Sequence, residues 1–102
     1  MFCCESLAGL VSNAGKKGFG VVPYSSHSAK SFRIQARACD AADMPPGGTR
    51  ELLPAGRLAL VMETGLRHCP NCGANLAEWI EANDSHFQDL LSELGKFVLS
   101  KW

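Results

Sequence analysis

The sequence predicts an α+β domain with an N-terminal helix, a three-stranded antiparallel sheet and a C-terminal helical segment. Three observations support this fold class. Apolar residues have helical spacing at both ends of the chain, polar and apolar residues alternate across 31–38, and a C-x-x-C pair at 69–72 precedes the last helical segment. The 102 residues are 46% hydrophobic and 20% charged, a mixture typical of one globular domain. We therefore expect a single domain over residues 1–102.

The N-terminal part of the chain predicts a helix followed by an edge strand. The apolar positions of residues 4–14 form one helical stripe, namely Leu7, Leu10, Val11 and Ala14. Gly15 suits the turn that ends this helix. Residues 19–24 are strand-like, and Pro23 places them at the edge of a sheet because proline has no N–H to donate to a neighbouring strand.

The clearest strand in the sequence is 30–38. Its apolar and polar side chains alternate, with Phe32, Ile34, Ala36 and Ala38 against Ser31, Arg33, Gln35 and Arg37. A period of two is typical of a strand with one face on the core and the other in water. We therefore expect the polar set to be exposed to solvent.

The middle of the chain predicts a long loop and then a third strand. Residues 39–56 contain two proline and glycine clusters, at 45–48 and 54–56, which favour an exposed loop. Residues 58–62 are a short apolar run, LALVM, that leads towards the C-x-x-C turn. This run supplies the third strand.

The chain from residue 76 onward predicts an acidic helical extension. Asn75 can cap a helix that starts at Leu76, and residues 85–88 (SHFQ) offer a second capping box. We expect two helices with a bend near 83–85, or one kinked helix. The apolar residues of the second part share one broad face: Phe87, Leu90, Leu91, Leu94, Phe97 and Val98.

Two cysteine pairs, one near each end of the sequence, indicate a metal site. Cys69 and Cys72 have the spacing of a zinc knuckle and precede a glycine, so a tight turn can point both thiolates at one cation. Cys3 and Cys4 would complete a four-sulfur site if the backbone bends between them, because adjacent side chains otherwise diverge. Cys39 or His68 could replace one of this pair. We predict Zn²⁺ as the cofactor.

Other chemistries of paired cysteines are weaker interpretations. A C-P-x-C sequence also resembles the dithiol of glutaredoxins, but that fold requires further strands downstream, and here only helical sequence follows. A zinc deaminase needs an H-x-E motif, and no histidine of this chain is followed by x-Glu. The sequence contains neither a phosphate-binding glycine motif nor a plausible Ser/His/Asp set. We expect a protein that is not an enzyme.

The distribution of charge suggests a binding module. The formal net charge is zero, but residues 1–38 carry five basic side chains and one acidic one, and residues 75–102 carry five acidic and two basic ones. A basic and an acidic end can orient the molecule on a charged partner. Nucleic-acid binding through Arg33 and Arg37 is the alternative to a protein partner, but the acidic end would repel a polyanion.

We predict that the partner surface combines charged and apolar residues. The candidate residues are Arg33, Arg37, Met44, Leu52, Leu53, Glu78, Glu81 and Asp89. Met44, Leu52 and Leu53 would act as apolar anchors in the 39–56 loop, since such anchors contribute more affinity than charges at a rim.

The location of the protein is also predicted from the sequence. No apolar run approaches the roughly 20 residues of a membrane span. Glu5 lies where a signal peptide would carry positive charge. We expect a soluble cytoplasmic protein.

Short motifs resemble a group of small, uncharacterised zinc-ribbon-like proteins of bacteria and their phages. The resemblance is carried by FCC at 2–4, AGKKGF at 14–19 and HCPNCGANL at 68–76, and it covers about residues 2–38 and 57–76. It implies metal binding without an established activity. A phage-like origin would suggest a role in blocking a host protein or ribonucleoprotein complex, such as a CRISPR defence system. The 39–56 loop and the acidic extension depart from the group's pattern.

Overall fold

A computed structural model describes residues 2–26, 29–38 and 60–98 of the chain, and for residues 60 and 61 it describes the backbone alone. The described residues form three helices, a three-stranded sheet and a short 3-10 turn. In chain order these are α1 (Glu5–Ser12), β1 (Gly18–Ser25), β2 (Lys30–Ala38), β3 (Leu60–Leu66), α2 (Leu76–Ala82), α3 (Asp84–Leu94) and the 3-10 turn (Gly95–Phe97). The predicted α+β fold class is confirmed.

The sheet is an antiparallel meander in the order β1-β2-β3. β2 begins and ends where the alternation predicted, and it pairs with β1 from Lys30 opposite Ser25 to Arg37 opposite Gly18. Pro23 lies in β1, which has β2 as its single neighbour in the described sheet, so its missing N–H disturbs no second strand. The third strand lies at Leu60–Leu66, a little further along the chain than the predicted apolar run.

The main core lies between one face of the sheet and the helices. Phe32 on β2 is fully buried, and its ring meets the ring of Phe87 edge-on at a centroid distance of 5.3 Å. Leu7 and Val11 of α1 and Leu76 of α2 belong to the same buried cluster. Each fully buried side chain of this kind contributes about 1.5–3 kcal/mol to folding, so this cluster fixes α1 and α2 against the sheet.

The second face of the sheet is covered, although the sequence predicted that the polar side chains of β2 face solvent. The expected exposure of Gln35 and Arg37 is wrong, because these side chains are only 1% and 4% exposed. The backbone carbonyl oxygen of Phe97 accepts hydrogen bonds from Gln35 Nε2 at 3.1 Å and from Arg37 Nη2 at 2.7 Å. The chain beyond α3 therefore covers the face that the alternation assigned to water.

Close backbone packing lets this covering segment approach the sheet. Gly15 has a φ of +77°, and a Cβ atom there would lie 2.5 Å from the ring of Phe97. Ala14, Val22 and Val98 form a small second cluster beside it. Gly15 thus serves both the turn that ends α1 and the contact with the C-terminal segment.

The C-terminal helices confirm the bend and correct one cap. Asn75 caps α2, where its side-chain oxygen accepts a hydrogen bond from the N–H of Glu78 at 3.1 Å. The second helix begins at Asp84 after Asn83, so Ser85 lies inside α3 and the predicted capping box there is wrong. Across residues 2–26, 29–38 and 60–98, no helix has the length and hydropathy needed to cross a bilayer.

Candidate metal centre

The C-x-x-C segment forms a closed turn between β3 and α2. The N–H of Cys69 donates to the carbonyl oxygen of Ala74, and the N–H of Gly73 donates to the carbonyl oxygen of Cys69, each at 2.9 Å. Gly73 has a φ of +78°, which glycine adopts without the strain of a side chain. His68 and Asn75 form an isolated antiparallel bridge at the base of the turn. The two cysteines are therefore held on a rigid knuckle.

The second cysteine pair lies immediately before α1. Residues 3 and 4 form a bend, and Cys4 is the N-cap of the helix with an extended backbone, φ −163° and ψ 167°. Leu7 and Val11 anchor α1 in the core, so the position of its first residue is set by packing. Cys3 and Cys4 need such a bend to share one site, because the side chains of adjacent residues otherwise diverge.

The structure brings all four predicted ligands together. The sulfur atoms of Cys3, Cys4, Cys69 and Cys72 lie within 4.8 Å of one another, and those of Cys4 and Cys69 are 3.5 Å apart. Four thiolates at the ~2.3 Å zinc–sulfur distance of a tetrahedral site would have sulfurs about 3.8 Å apart. The four side chains could therefore hold one metal ion with small adjustments.

The sequence left His68 and Cys39 as alternatives to one of the N-terminal cysteines. His68 is not a member of the cluster, and its exposed side chain lines a groove beside α2. Cys39 lies outside the described residues. The four described cysteines form no disulfide.

Hydrogen bonds polarise the thiol cluster unevenly. Burial raises the pKa of Cys69, but the backbone N–H groups of Cys72 and Asn71 and the thiols of Cys4 and Cys3 outweigh it, and the pKa falls to about 6. Burial, with the thiol contacts of Cys72 and Cys69, raises the pKa of Cys3 to about 12. The metal-free cluster therefore favours the thiolate at Cys69 and the thiol at Cys3, because like charges at this separation repel one another without a cation.

Donors outside the sulfur set complete the surroundings of the site. The side-chain amide of Asn71 donates to the sulfur of Cys4 at 3.8 Å, and this contact links the knuckle to the N-terminal pair. Such contacts orient ligands and stabilise their charged form. Sequence reasoning missed Asn71, although its place inside the C-x-x-C turn is a usable indication.

An aromatic cluster fixes the N-terminal cysteine pair on the helices. The ring of Phe2 stacks on Trp79 of α2 at 5.1 Å with an interplanar angle of 11°. His86 of α3 lies 5.2 Å from Phe2 and 5.5 Å from Trp79. Sequence reasoning did not find this contact, because Phe2 and Trp79 are far apart in the chain and share no local pattern.

The predicted partner-binding residues are scattered over the molecule. Glu78, Glu81 and Asp89 are exposed on the helices. Arg33 is half-buried, with its guanidinium 4.3 Å from the centre of the Tyr24 ring, and its buried Nε has no hydrogen-bond partner among the described residues. The buried Arg37 does not point into solvent. The three loop candidates, Met44, Leu52 and Leu53, lie outside the described residues.

Comparisons with known proteins return no relative of this chain. No protein-family model, curated protein or solved structure matches it.

Proposed function

We propose that this protein is a zinc-binding interaction module in which the metal is structural and the chain catalyses no reaction. The observation that carries the proposal is the convergence of four cysteine sulfurs within 4.8 Å. Structural zinc sites are closed by four protein ligands, whereas catalytic sites keep one position for water. A full set of four sulfurs therefore favours a structural site.

The donor set favours zinc among the biological metals. Thiolates are soft ligands that select zinc, copper(I) and iron, and a single-ion tetrahedral site of four sulfurs suits zinc or iron. Zinc would connect the residues before α1 to the knuckle before α2, which are separated by 65 positions between Cys4 and Cys69. Such a metal would link two segments of the chain, because the free energy of metal binding adds to the free energy of folding.

A dithiol redox role is the weaker alternative for the same residues. The first cysteine of a catalytic C-x-x-C pair must be reachable by its substrate, whereas Cys69 is 3% exposed. The knuckle also lies in a turn before α2, which begins at Leu76, and not in the first turn of a helix. Two further sulfurs beside the pair favour metal binding.

A protein partner is the better proposal than a nucleic acid. Arg37 is occupied by the carbonyl of Phe97, and Arg33 stacks on Tyr24, so the arginines offer no free pair to a phosphate backbone. Exposed Glu78 and Asp89 add negative charge on the helices. A role as inhibitor of a host protein or ribonucleoprotein complex, of the anti-CRISPR kind, rests only on the resemblance to phage and bacterial zinc-ribbon-like proteins.

Metal content and metal type test the proposal directly. Protein purified in reductant without added metal should contain about one zinc per chain by elemental analysis, as four ligands around one ion require. Cys69→Ser and Cys72→Ser should lose the metal, and the matched control Cys39→Ser should keep it. Wild-type protein that is free of metal and equally stable with or without zinc would contradict the proposal.

A further inference from the structure

A groove beside α2 has an apolar floor and a basic rim. It has a volume of about 370 Å³ and lies between α2 and the adjoining ends of β2 and β3. Phe32, Leu76 and Ile80 line it, and all three are buried in the core. A groove of this size is at the lower end of the range for ligand pockets and suits one or two side chains.

The ionisable side chains that line the groove are all of basic types. They are Lys30, Arg67 and His68. Lys30 is paired with Asp84 at 2.5 Å, while Arg67 is exposed and makes no ion pair with any residue of the described part of the chain. With Lys30 neutralised by Asp84, Arg67 supplies the unpaired positive charge of this rim, beside the apolar floor of the groove.

The position of Arg67 is fixed by the metal-binding turn. Its carbonyl oxygen accepts a hydrogen bond from the N–H of Leu76 at 2.9 Å, and the next residue, His68, bridges to Asn75. The backbone that carries the cation is therefore held by the same turn that presents Cys69 and Cys72. A residue on a fixed backbone loses less entropy on binding than one on a mobile loop.

The surroundings of the groove decide the class of its occupant. Glu81 and Asp84 line an adjoining depression that shares Lys30, Ala77 and Ile80 with the groove. A nucleic acid would extend across this acidic surface, which disfavours a polyanion. A short segment with one carboxylate and one large apolar side chain matches both the Arg67 cation and the apolar floor, since guanidinium pairs with carboxylate through two parallel hydrogen bonds.

We propose that this groove docks a short segment of a partner protein, in which a single aspartate or glutamate at Arg67 adjoins an aromatic or aliphatic anchor that enters the groove. The inference rests on the proposed interaction function and names the surface that performs it.

Selection from a random peptide library tests the groove without knowledge of the partner. Zinc-loaded wild-type protein is the bait, and Ala77→Trp, which fills the groove from an exposed helical position, is the counter-bait. We expect the peptides that bind wild type alone to combine an acidic residue with an aromatic or large aliphatic residue. Enrichment of basic or neutral peptides, or of no groove-dependent peptides, would overturn the proposal.

A selected peptide then allows a matched comparison of two charge reversals. Arg67→Glu should weaken its binding by about tenfold or more, the size expected for a close charge pair. Lys96→Glu changes the net charge equally at an exposed position after α3 and should have little effect. Equal losses in the two variants, or displacement of the peptide by a single-stranded RNA oligonucleotide, would refute the proposal.

The outcome for the groove can be separated from the outcome for the proposed function. Zinc content and folding of the Arg67→Glu and Ala77→Trp variants should equal those of wild type. A chain that keeps its zinc and binds a partner protein equally well with either substitution would retain the proposed function and lose the groove.

Discussion

The guanidinium of Arg37 donates a hydrogen bond of 2.7 Å to the backbone carbonyl oxygen of Phe97, 60 residues later in the chain. Arg37 Nε also donates to Gln35 Oε1 at 2.8 Å, and Gln35 Nε2 donates to Glu63 Oε1 at 2.8 Å. Burial lowers the pKa of Arg37, and the charge of Glu63 opposes that shift. The middle strand thus holds the C-terminal segment through a buried polar network.

Loss of Arg37 should destabilise the protein strongly. Arg37→Met would keep much of the volume but leave Glu63 without its cation and remove a donor from Phe97. We expect a loss of about 3 kcal/mol in the free energy of unfolding. Urea unfolding of the zinc-loaded protein measures this loss. The matched control Arg67→Met, at an exposed position, should stay within about 0.5 kcal/mol of wild type. Equal unfolding midpoints for the two variants would contradict the network.

The stacking of Phe2 on Trp79 should hold the N-terminal half of the metal centre. Phe2→Ala removes a stacked ring next to Cys3, and an aromatic pair contributes about 1 kcal/mol beyond its buried area. We expect zinc transfer to a chelator to become about fivefold faster, which corresponds to that free energy. The control Phe19→Ala removes a ring that is 59% exposed and should leave the rate unchanged. Unaltered zinc release in Phe2→Ala would show that packing of this residue does not support the site.

The two capping predictions can be separated by parallel alanine substitutions. Asn75→Ala removes the side-chain acceptor of the Glu78 N–H and should cost about 1 kcal/mol in stability. Ser85→Ala replaces a residue inside α3 and should cost less than about 0.5 kcal/mol. Thermal or urea unfolding compares the pair. A larger cost for Ser85→Ala would mean that Ser85 is the N-cap and that α3 begins at His86, two residues later than described.

The ion pair between Lys30 and Asp84 should give a small acid-dependent contribution to stability. The hydrogen bond from Lys30 lowers the pKa of Asp84 below its ordinary value of 3.8. The native state therefore holds this proton less tightly than the unfolded chain, and the stabilisation is present above about pH 4 and disappears as the pH falls through the lower native pKa. An NMR titration of the Asp84 carboxyl group measures its native pKa directly. In Lys30→Met the pKa should rise towards its ordinary value, and an unmoved titration would rule out the ion pair in solution.

Local patterns in the sequence were sufficient to predict most elements of the fold and the clustering of four cysteines. The alternation across 30–38 depends only on the two-residue period of a strand, and the bounds of β2 follow it. The C-x-x-C-G turn likewise closes within a few residues, where Gly73 supplies the left-handed backbone. The approach of this turn to Cys3 and Cys4 could be predicted because four thiolates around one ion form a tetrahedral metal site.

The tertiary structure alone decided which surfaces are covered. The same alternation that located β2 assigned Gln35 and Arg37 to water, whereas the chain after α3 returns across that face and buries them. Tertiary packing likewise places Phe2 on Trp79 and Arg67 beside an apolar groove. A strand's period is fixed by its own backbone, but the environment of each face depends on segments distant in the chain, which no local pattern specifies.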